Sequence, residues 1–299
     1  MSAGDLGTTL VLPADCAPEL DDLTRVLREL FTQSRRILGS NYVGAYLQGS
    51  VAEGAADLES DCDFLIVVHR PLTAAAFSDL AALHASLPRR PGHWSRHLEG
   101  SYPVAAALAT LRGLGAGWAY VGHGSAVLER DSTHGNTPVL RRILFERGIT
   151  LDGPAAKTLV EPIPDEVIRG YSRRQLVECL RGFESWSTKD AWSQRYSVLT
   201  VARLICSIET GQVVSKGGAA RWASRRLDPH WRPLVEHVLA RRGSTPYADP
   251  PDYEWVEQTH AFGEFAKAWT NSERQNGVGL ASLQSGWFGM PSQGPFVPR

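Results

Sequence analysis

Cysteine is scarce in this chain, with four in 299 residues, at Cys16, Cys62, Cys179 and Cys206. They lie far apart and form no C-x-x-C pair, which argues against structural zinc and favours a reducing, cytoplasmic setting. Cys62 and Cys206 sit in apolar runs and read as small core residues. A dominant charge is also missing. Lys plus Arg number 31 against 32 Asp plus Glu, a formal net charge of -1, which removes the broad electrostatic case for nucleic acid or an anionic membrane. The arginine doublets, such as Arg35-Arg36 and Arg241-Arg242, are scattered rather than clustered. No apolar run approaches the length of a membrane span. A basic segment followed by an apolar core is absent at the start, so no signal peptide is expected. There is no internal repeat.

What is present is an ordinary globular composition, 43% apolar and 21% charged, long enough for one large domain or two modest ones. One stretch organises the rest. Tyr46-Leu47-Gln48 reads as the end of a strand, Gly49-Ser50 as a turn, 51–60 as a polar loop, and Asp61-Cys62-Asp63-Phe64-Leu65-Ile66-Val67-Val68 as a second strand. On a strand, positions i and i+2 share a face, so Asp61 and Asp63 point one way and Cys62 the other. Two carboxylates that close repel unless a positive charge lies between them, and a hard divalent cation is the natural partner for oxygen ligands. Gly49 permits close backbone approach, and its N–H with the Ser50 hydroxyl can donate to phosphate oxygens. A lone D-x-D is usually a pair of surface acids. The glycine-serine turn before it raises the chemical reading, and a third carboxylate raises it further. Glu99 supplies that candidate, placed mid-strand in an extended stretch from about Ser95 to Tyr102. It could share the metal or accept a proton from an attacking hydroxyl.

The remaining chain reads as follows. Residues 1–17 form a loosely held arm. Leu20, Leu23, Leu27, Leu30 and Phe31 recur at helical spacing, and Gly39 ends that helix. Thr73 caps a helix to about Leu87. Residues 105–137 give no clear element and place Tyr120, His123, His134 and Asn136 in loops, with both histidines read as plain surface residues. Residues 138–145 look helical, and 148–154 form a short extended piece. Val160–Asp165 is the expected linker. Beyond it the pattern is helical: Asp165 to about Trp186, Trp192–Thr210, Ser215–Leu227, Pro233–Arg241 and Tyr253–Trp269. Residues 271–299 are read as a poorly ordered tail.

Two cations stand out in the helical half. Arg203 falls in a run from Ser197 to Ile208 that is apolar almost all round, hence a buried helix. A buried guanidinium needs a partner: either an acid such as Glu178 or Glu209, or a phosphate gripped in bidentate fashion. Lys216 follows the helix cap Ser215, where a cation is disfavoured unless an anion docks on the same helix end.

Taken together, these stretches resemble a known family. Arg195-Tyr196-Ser197-Val198-Leu199-Thr200-Val201-Ala202-Arg203, then Glu209-Thr210-Gly211 through Ser215-Lys216 and Ala219-Ala220-Arg221-Trp222-Ala223, look like the helical domain of streptomycin/spectinomycin-type aminoglycoside nucleotidyltransferases. Gly49-Ser50, Asp61-x-Asp63 and Leu98-Glu99 look like its catalytic half, of the DNA-polymerase-β-like superfamily. The similarity spans roughly 18 to 270. It implies an α+β fold: a mixed-sheet nucleotidyltransferase domain over 18–158 and an all-α bundle over 159–270. It also implies that Asp61, Asp63 and Glu99 hold magnesium, expected as two ions, and that Glu99 serves as general base. Gly49 and Ser50 would contact phosphate, Arg203 and Lys216 would bind the ATP phosphates, and the site would lie in the cleft between the domains. The product would be an adenylylated hydroxyl plus pyrophosphate, and the enzyme is expected to be a cytoplasmic monomer that binds neither nucleic acid nor membrane.

The acceptor implied is a small, hydroxylated, cationic molecule, in a role of antibiotic resistance or natural-product modification. Streptomycin-modifying members carry an acid near the start of the central helix. Ser193 stands there, with Lys189 a turn earlier, which disfavours streptomycin and leaves spectinomycin or another natural product. Trp118, His134, Asn136, Ser193 and Tyr196 are the candidate acceptor contacts, with Tyr120 beside them. Two alternatives differ in class: a nucleotidyltransferase acting on protein or RNA, and a catalytically silent binding module of the same fold.

Overall fold

The computed structural model describes residues 10–14, 16–243 and 249–275. The chain divides into two compact units, Met1–Ile163 and Pro164–Arg299. No helix among the described residues is long and apolar enough to cross a membrane, and the four cysteines are buried and form no disulfide among the described residues.

The first unit is built on a six-stranded mixed sheet. Its strands are β1 (Tyr42–Gln48), β2 (Cys62–Val68), β3 (Leu98–Tyr102), β4 (Trp118–Val121), β5 (Leu128–Ser132) and β6 (Ile149–Asp152), in the order β5-β4-β3-β2-β1-β6. Only β2 and β3 pair in parallel; the other neighbours are antiparallel. The continuous apolar run of β2 has a simple cause: both of its faces are covered. Cys62, Phe64, Ile66 and Val68 pack into one apolar cluster with Leu23, Leu27, Leu30 and Phe31 of α1 (Leu20–Leu38) and Leu80 of α3 (Ala74–Ser86). Leu65 and Val67 pack on the opposite side with Tyr46, Trp118 and, from α5 (Pro138–Arg147), Leu140 and Leu144. Two short helices complete the unit, α2 (Gly49–Ala52) and α4 (Ala105–Ala109). Thr73 and Thr137 cap α3 and α5 by accepting from the N–H groups of Ala76 and Leu140.

Several details depart from the sequence reading. Leu10 and Leu12, expected in a loose arm, are 5% and 6% exposed and belong to the core; residues 1–9 lie outside the described residues. The strand carrying Glu99 starts at Leu98, so Glu99 is its second residue. The preceding Trp94–Arg96 is a 3-10 turn, because the Trp94 N–H donates to Asp22 and the Ser95 hydroxyl donates to the Arg90 and Gly92 carbonyls. Residues 105–137, read as loop, contain α4, β4 and β5. The last helix continues to Gln275, past the expected start of the tail; residues 276–299 lie outside the described residues.

Among the described residues the second unit is built of helices: α6 (Asp165–Leu180), α7 (Phe183–Ser187), α8 (Ala191–Thr210), α9 (Lys216–Arg226), α10 (Arg232–Ala240) and α11 (Val256–Gln275). Its core joins Leu176, Phe183, Val198, Val201, Ala202, Ile205, Val235 and Phe262. The single helix expected from Asp165 to Trp186 is two, because Gly182 takes a left-handed conformation at φ 73° and turns the chain. Ser215 caps α9 by accepting from the Gly218 N–H.

Candidate active site

The candidate chemistry of the first unit gathers where β1, β2 and β3 end or begin. Gln48 pairs with Asp63 across β1–β2, and Asp63 pairs with Glu99 across β2–β3. Asp61 and Asp63 are half-buried while Cys62 between them is 0% exposed; β2 begins at Cys62, so only Asp63 is on the strand and Asp61 immediately precedes it, a departure from the sequence reading. Burial and the two flanking carboxylates push the Cys62 thiol well up, so it stays an inert neutral group.

Gly49 earns its place by what it touches. It sits at φ +66°, and a Cβ there would lie 2.0 Å from the Asp63 Oδ2. The close approach that the sequence assigns to a ligand is thus made by the Asp63 carboxylate, seated against the glycine. Ser50 follows, its hydroxyl donating to the Asp61 carbonyl at 3.4 Å.

Each outer acid has protein partners. Asp61 is hydrogen-bonded and ion-paired to His123 through its Oδ1 and the histidine Nδ1. That hydrogen bond raises the His123 pKa against the opposing effect of burial. The His97 ring meets His123 edge-on at 5.0 Å and stacks on His93 at 3.9 Å. Burial lowers the pKa of both His93 and His97. Glu99 Oε1 accepts a hydrogen bond from the Tyr120 hydroxyl at 2.8 Å and lies 3.5 Å from His134 Nε2. Desolvation and the nearby Glu99 carboxylate push the Tyr120 phenol far upward, so it remains a donor.

The donor chemistry suits a hard cation, since all three acids offer oxygen only. Among the described residues no group of three or more His, Cys, Asp and Glu side chains is placed to hold a metal ion between them. Magnesium does not require one. It usually takes one or two carboxylates and completes its shell with water and substrate phosphates, and adjacent Asp63 and Glu99 with Asp61 two residues away fit that pattern.

The other candidates from the sequence fall in different places. Trp118 is 4% exposed and its indole donates to the His134 carbonyl at 3.3 Å. Asn136 is 3% exposed; its amide donates to the Gly113 and Ala116 carbonyls, and its oxygen accepts from Arg141. Arg141, fully buried, also donates to the Leu108 and Ala107 carbonyls, so it ties α4 to the segment after β5. These contacts make Trp118 and Asn136 parts of the framework that carries His134. In the second unit Ser193 is 2% exposed in the first turn of α8, its N–H donating to Asp190. Tyr196 is half-buried, close to Trp186 and Trp192 at 5.6 and 4.7 Å, with Lys216 Nζ 4.2 Å from its ring centre.

Arg203 differs from its sequence reading. It is half-buried rather than buried, because α8 leaves positions 203 and 204 partly open. Neither proposed acid meets it. Glu178 pairs with Arg181, and Arg203 makes no hydrogen bond or ion pair among the described residues. His123 is the residue that sequence reasoning passed over. It was read as plain surface loop, and nothing in the local sequence announces the Asp61 contact, which depends on how β4 sits beside β3.

Comparisons with known proteins give these likenesses. Residues 158–271 match the family model described as the aminoglycoside adenylyltransferase C-terminal domain. A spectinomycin 9-adenylyltransferase of Staphylococcus aureus (strain Mu50 / ATCC 700699) is 25% identical over 239 residues, covering 77% of this chain and 85% of that protein. An aminoglycoside (3'') (9) adenylyltransferase of Shigella flexneri is 26% identical over 232 residues, covering 70% and 84%. Among solved structures, a spectinomycin adenyltransferase from Enterococcus faecialis, crystallised with ATP and spectinomycin, shares the fold at TM-score 0.61 and 15% identity, covering 83% of this chain and 98% of that one.

Proposed function

We infer that this chain, which belongs with the aminoglycoside adenylyltransferases, transfers AMP from ATP to a hydroxyl of a small aminocyclitol antibiotic and releases pyrophosphate. The observation that carries the site assignment is the pairing of Asp63 with Glu99 on adjacent parallel strands, with Asp63 seated against Gly49. Spectinomycin is the leading acceptor. Relatives named for it align over most of their length, and Ser193 and Lys189 stand where a drug richer in positive charge would call for acids.

The chain's own groups supply a mechanism. Glu99 takes the proton of the acceptor hydroxyl as that oxygen attacks the α-phosphorus in line. The Gly49-Ser50 turn orients phosphate oxygens. Arg203 and Lys216 are the cations we assign to the triphosphate, where they offset charge developing on the leaving pyrophosphate. Asp61, Asp63 and Glu99 would hold magnesium, which when bound supplies positive charge to the triphosphate and a template for the displacement. Four buried free thiols suit a cytoplasmic enzyme.

The experiment is mass-shift screening of spectinomycin, streptomycin and an aminoglycoside panel with each of the four nucleoside triphosphates, with pyrophosphate release measured in parallel. The expected result is the added mass of one AMP on spectinomycin with ATP. Labelling of protein or RNA with no small-molecule product would overturn the acceptor class.

A further inference from the structure

The two carboxylate oxygens of Glu99 are not equivalent. Oε1 accepts from the Tyr120 hydroxyl at 2.8 Å and lies 3.5 Å from His134 Nε2. The Tyr120 and His134 rings are 4.7 Å apart with 41° between their planes, so each ring also limits the other. Tyr120 arrives from β4, on the side of β3 away from β2, and is only 7% exposed. His134 arrives from the segment after β5, and its side chain is 57% exposed. Side chains from β4 and from the segment after β5 thus meet on one oxygen of one acid. No hydrogen bond to Oε2 accompanies them among the described residues.

We propose that Tyr120 and His134 are positioning residues for the transfer reaction: they hold Oε1 of Glu99 and leave Oε2 as the oxygen that receives the acceptor proton. The proposal rests on the adenylyl-transfer reading above. A glutamate carboxyl turns in a broad, roughly two-fold well, and a half-buried one would interchange its oxygens. A buried phenol on one oxygen removes that freedom. The Tyr120 hydroxyl donates its hydrogen to Oε1. In the step itself the acceptor O–H proton passes to Oε2. The acceptor oxygen bonds to the α-phosphorus, and the bond to pyrophosphate breaks with its electron pair leaving on pyrophosphate. Glu99 then returns the proton to solvent. Rates of such steps are steep in distance, so an angstrom of misplacement costs on the order of a hundredfold.

The test compares Tyr120→Phe, His134→Ala and the wild type. Tyr120→Phe removes one oxygen and keeps the ring. It should lower kcat by about ten- to a hundredfold, with the ATP KM and the thermal midpoint unchanged. His134→Ala, at a side chain that is 57% exposed, should lower kcat by roughly three- to tenfold. The double variant should fall short of the product of the two, because both act through one oxygen. A crystal structure of Tyr120→Phe should show Glu99 in more than one rotamer. Wild-type kcat in both variants, or a single unmoved Glu99 rotamer, overturns the proposal. Absence of AMP transfer by the wild type to any acceptor rejects the reaction instead, and the Glu99 rotamers then decide the positioning on their own.

Discussion

Gly49→Ala is the substitution whose consequence the geometry fixes most tightly. The new methyl would start 2.0 Å from Asp63 Oδ2 and 2.7 Å from its Cγ, so the carboxylate must retreat by about an angstrom to reach ordinary contact. The backbone adds a second cost, since alanine at φ +66° is disfavoured by roughly 1–2 kcal/mol. These two costs separate cleanly with a control. Gly54 sits at φ +63° with nothing within 4 Å of its would-be Cβ, so Gly54→Ala incurs the backbone cost alone. Both variants should lose about 2–8 °C of thermal midpoint. Only Gly49→Ala should lose turnover, by about a hundredfold in pyrophosphate release, as expected for a misplaced group at the reacting centre. If Gly49→Ala kept as much activity as Gly54→Ala, Asp63 would have no role that depends on its seat against the glycine.

Two further outcomes follow from other parts of the chain. His84 is buried against Phe64, its Nε2 hydrogen-bonded to the Tyr102 hydroxyl at 2.7 Å, and burial lowers its pKa to about 4. Its folded pKa is below the ordinary value, so the unfolded chain binds the proton first. Its contribution is fully present above pH 6.5 and declines as pH falls toward 4, by about 3 kcal/mol in all. The thermal midpoint of His84→Gln should therefore fall less steeply than wild type across that window, and parallel curves would contradict the assignment. Arg203→Ala should raise the ATP KM about tenfold with little change in the thermal midpoint, because no ion pair among the described residues is lost; an unchanged ATP KM would remove Arg203 from the triphosphate.

Much of this was legible in the sequence because it depends on short-range pattern. The apolar run over 64–68 marked β2, and Asp63 lies on it as its half-buried second residue. Caps were legible for the same reason: Thr73 and Ser215 each bond a backbone N–H three residues on. Strands β4 and β5 were not. The first is four residues long between glycines, and the second, Leu128–Ser132, is a polar edge strand with no apolar alternation. Since β4 delivers Tyr120 and the loop bearing His123, the partners of Glu99 and Asp61 stayed hidden with it. Leu10 and Leu12 escaped for another reason. Two leucines in a polar stretch carry no period, and their burial depends on a core formed by residues far along the chain. The partial exposure of Arg203 reflects how α8 packs among its neighbours, which an apolar run cannot reveal.

The central claim is that Glu99 is the base for transfer of AMP, beside the aspartates that would hold the metal. Glu99→Gln tests it most directly, since the amide keeps the shape and the Tyr120 hydrogen bond but cannot accept the proton. With spectinomycin and magnesium-ATP, calorimetry should show ATP still binding, while pyrophosphate release drops by at least about a thousandfold. Turnover at the wild-type rate in that variant would contradict the account.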